Sequence, residues 1–354
     1  VDEGFALKAL SNCKPIPCHM LMCPKHCTPR FTVPDALHVL WSCEALELRE
    51  RALACLFASD LEEVRCFTFT IIALAVQHSD VLSLILKLAE RSVEFAMGFY
   101  FRCKVNHTVL CATVLSAMSA KVREEIKNAE LFLQTLQMIV RLRDQPENAK
   151  VHVQRWRLQP PPLFPGTAAF RVNDIVWDRL IVKDSSSRPV VIPCWTTATD
   201  GDQEKTLRFI LFKNEDVRRD IVVMDCIRLT ALLTKRRKFR IPIVMYDVVP
   251  LDNECGLMLM VKGSKTLYSV SSSAMTLQNY IMENAPKGAT IEQVRTVFQK
   301  SCAFCCLLST LLGLGDRHQD NVMLTDTGVM FHIDFTYLFG HEPTGKFTTN
   351  RTKL

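Results

Sequence analysis

The chain has 354 residues, 48% hydrophobic and 23% charged, with a formal net charge of +6; that balance fills one large core or two ordinary ones and excludes long disordered or low-complexity tracts. Its longest apolar runs, residues 67–76 and 302–315, fall short of the roughly 18 to 20 residues that span a bilayer, its first residues are too acidic and mixed for a secretory leader, and a charge this modest does not call for nucleic acid. Cysteines are scattered through it, several at apolar helical positions (Cys55, Cys103, Cys111, Cys302, Cys305), which suits reduced thiols in the cytoplasm.

Residues 1–30 form a Cys-rich segment. Cys13, Cys18, His19, Cys23, His26 and Cys27 raise the question of zinc, but the cysteine spacings are not those of paired knuckles, so free thiols are expected. From residue 31 to 145 apolar residues recur at helical spacing, with Leu82, Ile85, Leu86 and Ala89 on one face and Phe132, Leu136, Ile139 and Val140 on another. That pattern predicts a stack of helices, N-capped by Asp60 and by Ser79 or Asp80. The aromatic stripe of residues 93–105 is read as core packing.

Residues 146–170, with the prolines of Gln159-Pro-Pro-Pro-Leu-Phe-Pro165-Gly166, are expected to be an interdomain linker. Strands are then predicted at 174–182, 189–195, 206–213, 241–249 and 256–262, with one helix over 217–234. Strands around a single helix describe one α+β lobe (171–261), and 262–354 the start of a second. The run Lys235-Arg-Arg-Lys238 with Arg240 is read as a solvated helix end, with an anionic membrane face as the alternative.

The densest chemistry lies near the C-terminal end. Gly313-Leu-Gly-Asp316-Arg317-His318-Gln-Asp320-Asn321 is followed eleven residues later by His332-Ile-Asp334-Phe335. The intervening Val322-Met-Leu-Thr, Asp326-Thr-Gly328 and Val329-Met-Phe-His-Ile read as a hairpin that brings both polar clusters together. Asn321 and Asp334 then offer oxygen ligands suited to Mg2+, with the phosphates of ATP completing its shell. Asp316 and His318 would stand beside the transferred phosphate.

These two clusters resemble the catalytic and metal-binding loops of the phosphoinositide 3-kinase family, which writes Asp-Arg-His where common protein kinases write His-Arg-Asp. The resemblance implies an α+β fold: an all-α helical-repeat domain followed by a bilobal protein-kinase-like domain lacking its C-terminal helices. It implies ATP and Mg2+ as cofactors and transfer of the γ-phosphate to the 3-hydroxyl of a phosphatidylinositol lipid. Lys213 would hold phosphates with Asp220 as its partner, Ser186 and Ser187 would cover the phosphates, Tyr246 would back the pocket, and the hinge ending at Val261 would read adenine. Asp316 and His318 would be catalytic, Arg317 would brace their loop, and Lys346, Arg351 and Lys353 would bind the lipid headgroup. The implied partners are a phosphoinositide lipid at a membrane surface and a regulatory or adaptor subunit, with the chain cytoplasmic and peripherally membrane-associated.

Three departures from the family pattern stand out: one residue fewer between Lys213 and Asp220, Leu259 at a hinge position often acidic, and Thr336 where the family has glycine after Asp334-Phe335. A catalytically impaired interaction module, a phosphoinositide 4-kinase and a large related protein kinase are the alternatives. The class I or II pattern is favoured, with class III open.

Overall fold

Thr32 and Asp35 start the first helix by exchanging bonds: the Thr32 hydroxyl accepts from the Asp35 N–H at 3.3 Å, and the Asp35 carboxylate accepts from the Thr32 N–H at 2.9 Å. The computed structural model describes residues 31–341 except 158, 185–186, 202–203, 274–275 and 286. Two units separate along the chain, Val1–Ile126 and Lys127–Leu354. In the first, helices follow one another: α1 (Val33–Ser42), α2 (Leu46–Ala58), α3 (Leu61–Arg65), α4 (Thr68–Gln77), α5 (Asp80–Arg91), α6 (Val93–Lys104) and α7 (Thr108–Ala117). The division falls within α8 (Ala120–Arg141). Asp60 caps α3 through the Glu62 N–H, and Ser92 caps α6 through the Phe95 N–H.

The capping expected at Ser79 or Asp80 is corrected. Ser79 makes no side-chain cap bond, and the Asp80 carboxylate instead forms a two-bond fork with Arg49, both at 2.8 Å. Arg49 is buried and also donates to the Leu40 carbonyl, so this fork knits α1, α2 and α5. The buried face of α5 is Val81, Leu84, Ile85, Leu88 and Ala89; Leu82 and Leu86, expected to share it, flank it half-exposed. Phe95, Phe99, Tyr100 and Phe101 of α6 are buried as the core reading expected.

In the second unit, Phe132, Leu136, Ile139 and Val140 of α8 are all buried, with the Phe132 ring centroid 5.8 Å from that of Trp156. Residues 146–170 do more than connect: 146–156 form helix α9 (Pro146–Trp156), and Leu163 and Phe164 are buried, Phe164 stacked on Phe170. A six-stranded antiparallel sheet comes next, in the order β1 (Phe170–Ile175), β3 (Val190–Ala198), β4 (Lys205–Lys213), β6 (Gly256–Leu259), β5 (Val248–Pro250), with β2 (Ile181–Val182) also on β3. The strand expected over 174–182 is broken by a 3-10 turn at Trp177–Arg179, and the one expected over 241–249 shrinks to β5.

Helix α10 (Arg218–Arg236) begins beside the end of β4, its first turn held by Asp216, which accepts from the Arg218 N–H at 3.0 Å. Beyond the sheet come β7 (Ser264–Thr266), α11 (Leu267–Ser271), α12 (Leu277–Asn284), α13 (Ile291–Leu312), β8 (Val322–Thr325) and β9 (Met330–His332). Strands β7, β8 and β9 form a second antiparallel sheet, whose Leu324 packs in one core with Val270, Tyr280, Ile281 and Val294. The whole is α+β. Among the described residues no helix is long and apolar enough to cross a membrane.

Candidate active site

Lys213 is the last residue of β4 and pairs with Gly256 of β6. A side chain at Gly256 would put its Cβ 2.2 Å from Val217 Cγ2, so only glycine lets the strand meet the entry to α10. The Lys213 side chain is buried and forms an ion pair with Glu215. Burial alone would lower its pKa, but the carboxylates of Asp220, Asp334 and Glu215 outweigh burial and raise it, so the ammonium stays charged.

The sequence assigned that ion pair to Asp220. Asp220, in the first turn of α10, faces the ammonium at longer range. Burial pushes its carboxyl up to about 7 against the pull of Lys213, and it accepts a bond from the Phe335 N–H. Its Oδ1 is buried with no partner among the described residues. The turn one residue shorter than the family's explains the substitution: Asn214 and Glu215 fold straight back on the strand end. Asn214 donates to the carbonyls of Ser187 and Arg188 at 3.0 and 3.3 Å, tying the loop that carries Ser187 to the residue beside Lys213.

The hairpin between the two polar clusters is formed by β8 and β9 in the register Val322↔His332, Met323↔Phe331, Leu324↔Met330, closed by a turn with Gly328 at φ 80. One step beyond the strands, the Ile333 N–H donates to the Asn321 carbonyl at 3.1 Å, so Asn321 stands opposite Ile333 with Asp334 next along the chain. Asn321 Nδ2 donates to the Asp316 carbonyl at 3.0 Å, which leaves its Oδ1 as the outward acceptor. Asp316 and Asp334 both adopt left-handed backbone, φ 55 and φ 59, a conformation that aspartate tolerates at some cost.

Arg317 does the bracing. Its guanidinium donates to the carbonyls of Gly315 at 2.7 Å, Ile333 at 2.8 Å and Asp334, stitching the Asp316 loop to the Asp334 loop while lying over the Phe335 ring. His318 is exposed, its Nε2 3.8 Å from Asp316 Oδ2. Thr336, where glycine was expected, donates its hydroxyl to Asp334 Oδ1 at 2.7 Å, and Arg219 of α10 donates to the Thr336 carbonyl. Behind the loop, His332 is held at Nε2 by Ser309 at 3.1 Å; burial and the Arg317 charge bring its pKa down to about 4, which keeps it neutral.

Tyr246 is buried, its ring 6.5 Å from Phe331, and burial together with the charges of Asp220 and Asp334 pushes its phenol well up. Its hydroxyl has no described partner. Val261 lies just past β6, its carbonyl taken by Ser264 Oγ at 2.8 Å. Ser186, Lys346, Arg351 and Lys353, and the Cys/His cluster of residues 13–27, lie outside the described residues.

The donor set fits a hard divalent cation. An amide oxygen at Asn321 and a carboxylate at Asp334, the latter oriented by Thr336, match the few protein ligands Mg2+ takes when phosphates supply the rest. The Asp220 Oδ1 and Tyr246 hydroxyl have no partner among the described residues and leave polar capacity here for a ligand. The residues sequence reading missed are Asn214, Glu215 and Arg219. Glu215 had one available signal, an acid two residues past the lysine in a shortened turn.

Residues 206–351 match the family profile described as phosphatidylinositol 3- and 4-kinase. Among curated relatives the chain is 25% identical to phosphatidylinositol 3-kinase VPS34 of Arabidopsis thaliana, over 88% of this chain and 43% of the relative. It is 24% identical to phosphatidylinositol 3-kinase 3 of Dictyostelium discoideum, over 88% of this chain and 20% of the relative. It is likewise 24% identical to phosphatidylinositol 3-kinase, root isoform, of Glycine max, over 88% and 43%. The chain thus spans less than half the length of these relatives. Across the stretch that holds Lys213, Asp316, Asn321 and Asp334, it is similar to the phosphatidylinositol 3- and 4-kinase family.

Proposed function

We propose that this chain carries the catalytic portion of a phosphoinositide 3-kinase, which moves the γ-phosphate of ATP to the 3-hydroxyl of a phosphatidylinositol lipid. The observation that carries the reading is the pairing of Ile333 with Asn321, which sets the two polar loops side by side, within electrostatic reach of Lys213 and Asp220. The names of the relatives favour the 3-kinase over the 4-kinase reading within the matched family.

In this reading the inositol oxygen bonds to the γ-phosphorus as the bond to ADP breaks, and the hydroxyl proton leaves toward Asp316. Lys213 neutralises the phosphates, and His318 donates to the transferred group. Arg317 keeps the two loops in register. Mg2+ held by Asn321 and Asp334 would supply charge neutralisation on the phosphate oxygens. Tyr246 and the Val261 backbone would line the adenine end, Ser186 and Ser187 would cover the phosphates, and Lys346, Arg351 and Lys353 would meet the headgroup. The proposed setting is cytoplasmic with peripheral attachment to membranes. The impaired-module alternative loses one of its two motives, because the Thr336 hydroxyl bonds Asp334 Oδ1.

The test is incubation of the chain with labelled ATP, Mg2+ and vesicles containing phosphatidylinositol or its phosphates, with product position read by chromatography. A 3-phosphorylated lipid is expected from the wild type, with a loss of at least a hundredfold in Asp334→Ala. Product at the 4-position, or undiminished turnover in that variant, would overturn the assignment.

A further inference from the structure

Helix α10 begins at the proposed nucleotide site and ends about 24 Å from Asp220, at 1.5 Å per residue. Its far end is unlike an ordinary helix terminus. Lys235, Arg236, Arg237, Lys238 and Arg240 are all exposed, and the sequence holds no Asp or Glu between Asp225 and Asp247. None of Lys235, Arg237, Lys238 or Arg240 has an ion-pair partner among the described residues. The helix dipole accounts for cations in the last turn, Lys235 and Arg236. It does not account for Arg237, Lys238 and Arg240, which lie past the final helical residue.

The helix closes in a Schellman arrangement: the Lys238 N–H donates to the Lys235 carbonyl at 3.0 Å and the Phe239 N–H to the Thr234 carbonyl at 2.9 Å. The residue in left-handed backbone is Lys238, at φ 62, where glycine is the default. The residue after it, which in this motif ordinarily packs back on the helix, is Phe239, and it stands 65% exposed. Leu233, six residues earlier, is 48% exposed. Two choices that work against the stability of the helix end therefore place a cation and an aromatic ring outward together.

We propose that this tip is a membrane anchor: Phe239 and Leu233 enter the interface of an anionic bilayer while the surrounding lysines and arginines meet lipid phosphates. Charge complementarity names the partner, since a cluster of this sign with no internal carboxylates needs an anionic surface. An exposed aliphatic side chain in addition to the aromatic one selects lipid over nucleic acid, because acyl chains accept both whereas bases stack on aromatic planes alone. The anchor serves the lipid substrate of the proposed reaction and in that sense rests on that reading. Its test does not.

Flotation of the purified chain with phosphatidylcholine vesicles, with and without phosphatidylserine, reads binding without turnover. The wild type is expected to float only with the anionic vesicles, less so at high salt. Each cation removed should weaken binding about fivefold. Lys238→Gly separates binding from folding: relief of the left-handed lysine raises Tm, while the lost charge weakens flotation. In Phe239→Trp, tryptophan emission should shift to the blue when anionic vesicles are added. Asp334→Ala should float as the wild type does, so a failed kinase assay with intact flotation leaves the anchor standing. The anchor is overturned if the wild type does not float, or if a variant carrying Lys235→Gln, Lys238→Gly, Phe239→Ser and Arg240→Gln floats equally well. It is also overturned if the tip binds RNA or polyglutamate in place of vesicles.

Discussion

Thr336 shows how a residue that breaks a family pattern can serve the same end by another route. Glycine there gives backbone freedom; threonine instead adds a hydroxyl that fixes Asp334 Oδ1 at 2.7 Å, leaving the other carboxylate oxygen to a cation. A hydrogen bond of this kind contributes about 1 kcal/mol, or roughly fivefold. Thr336→Val, which keeps the branched shape and removes the hydroxyl, should raise the Mg2+ concentration needed for nucleotide-induced thermal stabilisation about fivefold, while Thr336→Ser should stay near wild type. Equal Mg2+ demand in both variants would show that the hydroxyl does not orient the ligand. Glu215 is the second case. It holds the Lys213 ammonium that ATP phosphates would need and places a negative charge beside them. Glu215→Gln should therefore tighten nucleotide binding on the order of threefold to tenfold in a calorimetric titration, whereas weakened binding would mean that Glu215 positions the lysine. The lysine, the two aspartates and Asn321 were legible because short motifs fix their types and order. Glu215 was not, because its role comes from the path of a shortened turn, which its one sequence signal, an acid two residues past the lysine, does not by itself set.

Among the elements, the hairpin between β8 and β9 was legible down to its turn, since two short strand-forming runs flank Asp326-Thr-Gly328, and it buries residues on both faces, Val322 and Leu324 on one and Phe331 on the other. The stretch 241–249 was misread for the same reason in reverse. Its apolar residues suggest a strand, but only Val248–Pro250 finds a partner in β6, and Ile241 to Val244 are half-buried without ladder bonds. Apolar content states that a segment will be covered, not what will cover it. Asp80 carries a parallel lesson: placed where a cap belongs, it is used by Arg49 of another helix. The guanidinium holds the Asp80 carboxyl below its usual range, chiefly through the hydrogen bonds it donates. A depressed folded pKa makes the folded state the weaker proton binder, so the contribution is complete above about pH 4, where the unfolded carboxyl ionises, and is lost as pH falls through the lower folded value. Melting curves should show Asp80→Asn less stable than wild type at pH 7, with the gap closing toward pH 3. Arg49→Met should cost about 2 to 4 kcal/mol at pH 7, because it strips the Leu40 and Cys43 carbonyls as well.

For the molecule as a whole, the site is an assembly of segments far apart in sequence: the end of β4, the first turn of α10, the Asp316 loop and the Asp334 loop. What joins them is a set of cross-links no single segment needs for its own fold. Arg317 ties the two polar loops, the Phe335 N–H reaches Asp220, and Arg219 reaches the carbonyl of Thr336. Because the carboxylates of Glu215 and Asp334, with the raised Asp220, crowd the Lys213 ammonium, the assembly gains from a cation that arrives with the nucleotide. ATP without Mg2+ adds further negative charge and should bind weakly; Mg2+ and ATP together should bind well. At a hundredfold excess over its dissociation constant the pair would stabilise the folded state by about 2.7 kcal/mol. Hydrogen exchange gives the test its spatial resolution: with Mg2+ and a non-hydrolysable ATP analogue, protection should rise together at residues 213–220, 316–321 and 333–338, and scarcely at any of them with the analogue alone. Protection at one segment without the others would mean that these loops act separately, and the shared phosphate site would fall with it.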